Sequence, residues 1–252
     1  MDSNDLAGIF EHFLDGAESE IARLFAVSLS IDMPETGLCC DAESLARCVE
    51  TYRDLLNSRA AKIAVVNQID THTRSVAELA VELRDLDNPL TVAIFGERSH
   101  GCFSEIRGYH AMQLYKGHFT PRSQLLAIPE VPPDQPAVLE QYFRAIHEEA
   151  SLENAISLYC EDAYVVNPLG LRVDGRENVR IVYGVMLSSG GIALQPCTAT
   201  DDGRNCAIEW VCARWGDKVY PGLEAGCAVY EYEGDRLRAA RIYDDLDPPF
   251  PV

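Results

Sequence analysis

The chain has 252 residues, enough for two domains of ordinary size, and its 40 acidic against 21 basic side chains give a net charge of −19. That charge repels phosphate backbones and anionic lipid, which argues against nucleic-acid and membrane-surface binding. The N-terminal stretch MDSNDLAGIFEHFLDG carries acids where a secretory leader carries bases, no apolar run approaches a bilayer span, and the nine cysteines include no CxxC pair. The expectation is a cytoplasmic protein with reduced thiols and no metal site.

In chain order, the first half predicts helices at 4–14 and 17–27 and a capped helix at 41–58. Strands follow near 62–71, 75–85, 90–98 and 103–114; the alternation in SVAELAVELRD is the best strand signal among them. Residues 116–136, KGHFTPRSQLLAIPEVPPDQP, hold five prolines and no sustained apolar period, and read as a linker. Beyond it, AVLEQYFRAIHEE places Leu139, Tyr142, Phe143 and Ile146 at helical spacing over 137–149. A short helix at 151–160 and a strand at 163–167 come next, the strand ending at Pro168. Asp174 is expected to cap a helix at 175–187 with Val179, Val182, Tyr183 and Met186 on one stripe. Four strands close the chain at 192–200, 205–214, 223–232 and 236–244, the last two joined through Glu233-Gly234-Asp235.

The two halves repeat. Leu24 and Leu158, Pro34 and Pro168, and Tyr109 and Tyr243 each stand 134 residues apart (158−24, 168−34, 243−109), and three anchors at one offset indicate a duplication. The organisation expected is therefore 1–115, the linker 116–136, and 137–252. Helices followed by a long sheet give an α+β class: two tandem cone-shaped domains, each a curved antiparallel sheet wrapped around helices, with a pocket between sheet and helices.

In the second half, a helix with a tyrosine, then LYCEDAYVVNPLG, then VDGRENVRIVYGVML, then a hairpin closing in RIYDD resembles the nuclear-transport-factor-2-like (NTF2-like) superfamily. That superfamily includes SnoaL-like polyketide cyclases, ketosteroid isomerases and limonene-epoxide hydrolases. The resemblance covers 137–247 and, more faintly, 4–115. It implies fold more strongly than activity, because one fold hosts many chemistries.

By the resemblance to ketosteroid isomerase, Tyr142 falls at the tyrosine that donates to a developing oxyanion, and Tyr159 and Tyr183 at the two that support it. The plainer reading makes all three core residues with locally satisfied hydroxyls. The family's general base precedes the proline, where this chain has Asn167, an amide that cannot take a proton near neutral pH. Asn167 is then a ligand-orienting group, or only the cap of the turn at Pro168. The base has to come from elsewhere. Glu209, in CAIEWVCARW, shares a strand face with Val211 and Ala213 that the alignment places toward the cavity; the other face carries Ile208, Trp210 and Cys212. Asp244 is the second candidate, with a solvent-exposed strand end as its alternative. Catalytic roles are thus expected of Tyr142, Glu209 and Asp244, and ligand contact of Asn167, Tyr159, Tyr183 and Trp210. In the first half, Glu50 stands in place of Tyr183, Glu78 parallels Glu209 and His110 parallels Asp244.

The function these residues imply is a cofactor-independent isomerase, cyclase or hydrolase acting by acid–base chemistry on a lipophilic, steroid- or polyketide-like small molecule. The alternative is a non-catalytic module of the same fold that binds a hydrophobic ligand or assembles with partners. Either way the fused copies are expected to form a pseudo-dimer inside one chain, with a homodimer of tandem chains as the other arrangement.

Overall fold

A computed structural model describes residues 6–15, 25–100, 102–147 and 150–250. The chain divides into two compact units, residues 1–118 and 119–252. Each carries a six-stranded sheet with the same strand order.

In unit 1, α1 (Gly8–Asp15) precedes β1 (Phe25–Met33) and β2 (Gly37–Cys39), then α2 (Ala42–Ser58), β3 (Lys62–Asp70), β4 (Arg74–Glu82), β5 (Leu90–Ser99), β6 (Cys102–Tyr109) and the single turn α3 (Gln113–Lys116). The sheet runs β2-β1-β6-β5-β4-β3, antiparallel except for the β1–β6 pair. Residues 25–27, expected at the end of a helix, are strand; residues 17–24 of that expected helix, including the repeat anchor Leu24, lie outside the described residues. The short β2 was not foreseen. Asp41 caps α2 as expected: its Oδ1 accepts from the Ser44 N–H at 2.7 Å, and Ser44 Oγ accepts in return from the Asp41 N–H at 3.2 Å.

Unit 2 repeats the plan with α4 (Ala137–His147), α5 (Leu152–Ser157), β7 (Tyr159–Val166), β8 (Arg172–Asp174), α6 (Arg176–Met186), β9 (Ile192–Asp201), β10 (Asn205–Trp215), β11 (Lys218–Glu233) and β12 (Arg236–Tyr243). Its order is β8-β7-β12-β11-β10-β9, again with one parallel pair, β7–β12. The parallel pair follows from the plan itself, because the strand entering after the helices lies beside the last strand and points the same way. Register shifts on β10, β11 and β12 bend the sheet. Helix α4 buries Val138, Leu139, Tyr142, Phe143, Ala145 and Ile146 against the sheet, the stripe its spacing predicts.

Three local expectations change. The helix expected at 151–160 ends at Ser157, and Tyr159 and Cys160 already belong to β7, which was expected to start at 163. Asp174 is the last residue of β8, where its carboxylate holds Arg172 at 2.8 Å, and the cap of α6 is Gly175, whose φ of 84° suits glycine. Strand β11 begins at Lys218, five residues earlier than expected, because Pro221 and Gly222 sit within an irregular stretch of the strand, where a missing N–H is tolerated.

Part of the proline-rich segment packs on unit 2. Arg122 bridges to Ala225, and the Thr120 N–H donates to Asp245 Oδ2 at 2.7 Å. The nine cysteines are free thiols; Cys40 is exposed, Cys102 and Cys160 half-buried, and the other six buried.

Candidate functional site

Alternation along β10 and β11 decides what faces the interior of unit 2. Ile208, Trp210 and Cys212 on β10, and Ala228 and Tyr230 on β11, belong to the core against α4 and α6. Among these the ring of Trp210 lies over Gly226, where any Cβ would come within 2.2 Å of it. Two small residues on β11, Gly226 and Ala228, leave space above the sheet. The result is a cavity of about 350 Å³. Tyr142 and Ile146 of α4 line one wall, Ile181, Val185 and Met186 of α6 another, Trp210, Trp215, Tyr230 and Ile242 the sheet side, and Phe119, Leu246, Pro248 and Phe250 the wall between the chain segments before and after the unit. Ile181 is 67% and Val185 49% exposed, so the cavity opens to solvent along α6.

Among the described residues Asp244 is the only charged side chain lining this cavity. It follows Ala240 and Ile242 in the inward series of β12, which sets its direction. Its Oδ1 accepts the Leu246 N–H at 3.1 Å, and it makes no ion pair among the described residues. Burial, opposed by the Leu246 N–H and aided by the Asp245 charge, pushes its pKa up to about 7. The solvent-exposed alternative for Asp244 is therefore not what the structure shows.

The three tyrosines converge as the resemblance implies. Tyr183 stands in the middle, its hydroxyl 2.7 Å from that of Tyr142 and 2.7 Å from that of Tyr159. Tyr142 reaches the cavity; Tyr159 and Tyr183 lie behind it, fully buried, and do not line it. Burial raises the pKa of all three phenols, so they stay protonated. Each hydroxyl has one proton. If Tyr159 donates to Tyr183 and Tyr183 to Tyr142, the Tyr142 proton is left for the cavity.

Asn167 lines the cavity, but its Oδ1 accepts from the N–H groups of Leu169 at 3.0 Å and Leu171 at 2.9 Å. The amide stands before Pro168 because it holds the Pro168–Gly170 turn. A carboxylate would do this as well, so the amide also removes a charge from the cavity wall. Trp210 lines the cavity, and its buried Nε1 has no hydrogen-bond partner among the described residues.

Glu209 is on the other face, and this corrects the alignment-based placement. With Trp210 turned inward, Glu209 and Val211 point away from the helices, and Thr198 Oγ1 donates to Glu209 Oε2 at 2.8 Å. Glu209 therefore does not line the cavity. Glu78 is its counterpart in unit 1 and receives Asn67 Nδ2 at 2.8 Å. Glu50 is not the counterpart of Tyr183: the helix caps Asp41 and Gly175 are 134 residues apart (175−41), which puts Val49 there (183−134), and Glu50 is exposed. His110 does face inward, its Nε2 3.1 Å from the Tyr52 hydroxyl. Among the described residues no cluster of His, Cys, Asp or Glu is placed to hold a metal ion, and no helix is long and apolar enough to cross a membrane.

The lining residues Phe119, from the segment read as a linker, and Leu246, Pro248 and Phe250, after the last strand, were missed because they carry no periodic signal. Their apolar side chains flanking a folded unit were the available hint.

No protein-family model and no curated protein matches the sequence. Solved structures do. An NTF2-like protein of unknown function from Cytophaga hutchinsonii matches at a TM-score of 0.36 with 14% identity over 46% of this chain and 95% of its own. A protein of Catenulispora acidiphila with a ketosteroid-isomerase-like fold matches at 0.40 with 14% identity over 46% and 90%. An epoxide hydrolase of M. tuberculosis, similar to limonene-epoxide hydrolase, matches at 0.36 with 19% identity over 42% and 80%. Each covers less than half of this chain, the length of one unit. The repeated order of helices and strands makes the chain a tandem pair of like units, each similar to structures described as NTF2-like and ketosteroid-isomerase-like, and the hollow site lies in the second.

Proposed function

We propose that unit 2 is an acid–base enzyme, an isomerase or cyclase in class, that moves a proton to or from a lipophilic small molecule without a cofactor. One observation carries this: a single carboxylate, Asp244, lines an apolar cavity and holds its proton with a pKa near neutrality. A group with that proton affinity is present in both forms at physiological pH and can serve as acid or base. Tyr142, fed by Tyr183 and Tyr159, is the hydrogen-bond donor to the reacting group. Glu209, outside the cavity, has no part in the chemistry.

The test is deuterium uptake from D2O into the acidic C–H positions of a panel of lipophilic enones and imines. The expected result is uptake that Asp244→Asn reduces by about 100-fold or more, in the range of general acid–base contributions, and that Glu209→Gln leaves unchanged. Uptake that survives Asp244→Asn would remove Asp244 from the mechanism. Binding without uptake by any of the panel would favour the second reading, a carrier or sensor of a hydrophobic ligand; the commitment of the Asn167 carbonyl to its own turn supports that reading.

A further inference from the structure

We infer that the ligand of the unit 2 cavity is a lipophilic organic cation, an ammonium or iminium compound whose charged nitrogen pairs with Asp244. This rests on the reading of the cavity as a ligand site and specifies the charge of the ligand. Three features of the structure support it. First, among the described residues no lysine, arginine or histidine lines the cavity and Asp244 makes no ion pair, so no side-chain cation is placed there to compensate an anion. An ionised carboxylate in apolar surroundings is costly until a cation meets it. Second, six aromatic side chains line the same space: Phe119, Tyr142, Trp210, Trp215, Tyr230 and Phe250. Ring faces attract alkylated nitrogen, and most strongly when water is excluded. Third, the net charge of −19 favours the approach of cations and opposes that of anions.

The chemistry agrees. When a carboxylate takes a proton from a neutral ketone, the negative charge only moves, to an enolate oxygen that then needs strong donors, and the cavity offers chiefly Tyr142. When it takes the proton on the carbon next to an iminium, the C–H electrons form a C=C bond and the iminium π pair returns to nitrogen. A carboxylate and a cation become a carboxylic acid and a neutral enamine. Opposite charges vanish together, which an apolar cavity favours in the transition state.

The chain has two tryptophans and both line the cavity, so intrinsic fluorescence reports its occupancy. The probes are benzyltrimethylammonium, its neutral carbon isostere neopentylbenzene, and phenylacetate. At pH 8 the ammonium should bind at least about tenfold more tightly than the isostere, and phenylacetate should not compete. Because the cation pairs with ionised Asp244, its affinity should fall about tenfold per pH unit below 7 and be flat above it. The other groups around Asp244 are Asp245, the Cys212 thiol and the Tyr220 phenol, both raised by burial and neutral in this range, and Glu224, whose pKa burial also raises. Asp244→Asn should erase the preference for the cation and its pH dependence, whereas Glu224→Gln should leave both. Equal affinities, a tighter isostere, or a preference that survives Asp244→Asn would overturn the inference. In the case of a tighter isostere, uptake of deuterium that depends on Asp244 would still stand, which separates failure of the ligand class from failure of the proposed reaction.

Discussion

The two units place equivalent residues in equivalent rows and fill the space above them differently. On the sheets, Glu78, Ala93 and Tyr109 pair in register in unit 1 as Glu209, Cys227 and Tyr243 do in unit 2. One step along, the inward pair is Leu79 and Val92 in unit 1 but Trp210 and Gly226 in unit 2. The next inward row is Ala77, Ile94 and Gly108 against Ile208, Ala228 and Ile242. Over the unit 1 sheet, Phe13 stacks on Tyr52 with ring centroids 5.3 Å apart, Phe10 meets both edge-on, and the Tyr52 hydroxyl is bonded to His110. Over the unit 2 sheet the corresponding residues enclose a cavity, and the position of His110 is taken by Asp244. The same duplicated frame thus gives one interior organised around aromatic packing and a histidine bonded to a tyrosine, and one organised around space and an acid that makes no ion pair among the described residues.

If unit 1 is a packing element, its aromatic cluster should matter to stability alone. Tyr52→Ala removes a fully buried ring and should cost about 3–5 kcal/mol in chemical denaturation, while the tryptophan response of the unit 2 cavity to its ligand persists. A loss of ligand response under conditions where the variant is folded would break the division of labour.

Asp244→Asn should act in the opposite sense. A carboxyl whose folded pKa of about 7 exceeds its unfolded value binds its proton more tightly in the folded state, so stability falls as pH rises from about 4 to 7. Replacing the acid removes that loss. The variant should therefore be more stable than the parent by on the order of 2–4 kcal/mol at pH 8, less where cavity water screens the charge, and about equal at pH 4. Melting curves at the two pH values check this; a destabilised variant at pH 8 would mean that Asp244 is compensated in the folded protein. A functional group that destabilises its own fold is the pattern expected of an active site.

Gly226→Ala is the subtler test. Its new methyl meets the Trp210 ring, which must turn into the cavity, at a cost of about 1–3 kcal/mol. Ligand affinity should drop and the tryptophan emission of the free protein should change. The matching change in unit 1, Val92→Ala, should affect neither.

The sequence made the α+β class, the duplication and most strands of unit 2 legible, because apolar period and turn residues act locally. The tyrosine cluster was legible through the resemblance, since three hydroxyl-bearing side chains on α4, α6 and β7 can meet only in the interior. What failed was facing. Glu209 and Trp210 are neighbours on one strand, so a choice of face exchanges one for the other, and the alignment chose the carboxylate. The rule that the bulky aromatic turns toward the helices would have chosen correctly, and the inward series Ala240, Ile242, Asp244 would have pointed to the acid. The cap of α6 failed for a different reason: the residue needed was one that accepts a positive φ, and Gly175 stood beside a more familiar capping residue.

The bond from the Thr120 N–H to Asp245 ties together two stretches of chain 125 residues apart, each next to a residue that walls the cavity: Phe119 on one side and Leu246 on the other. Where a gene is cut to isolate the second unit therefore matters. A fragment beginning at Ala137 keeps all six strands yet discards Phe119 and Thr120, a partner of Asp245, whereas one beginning at Phe119 keeps both.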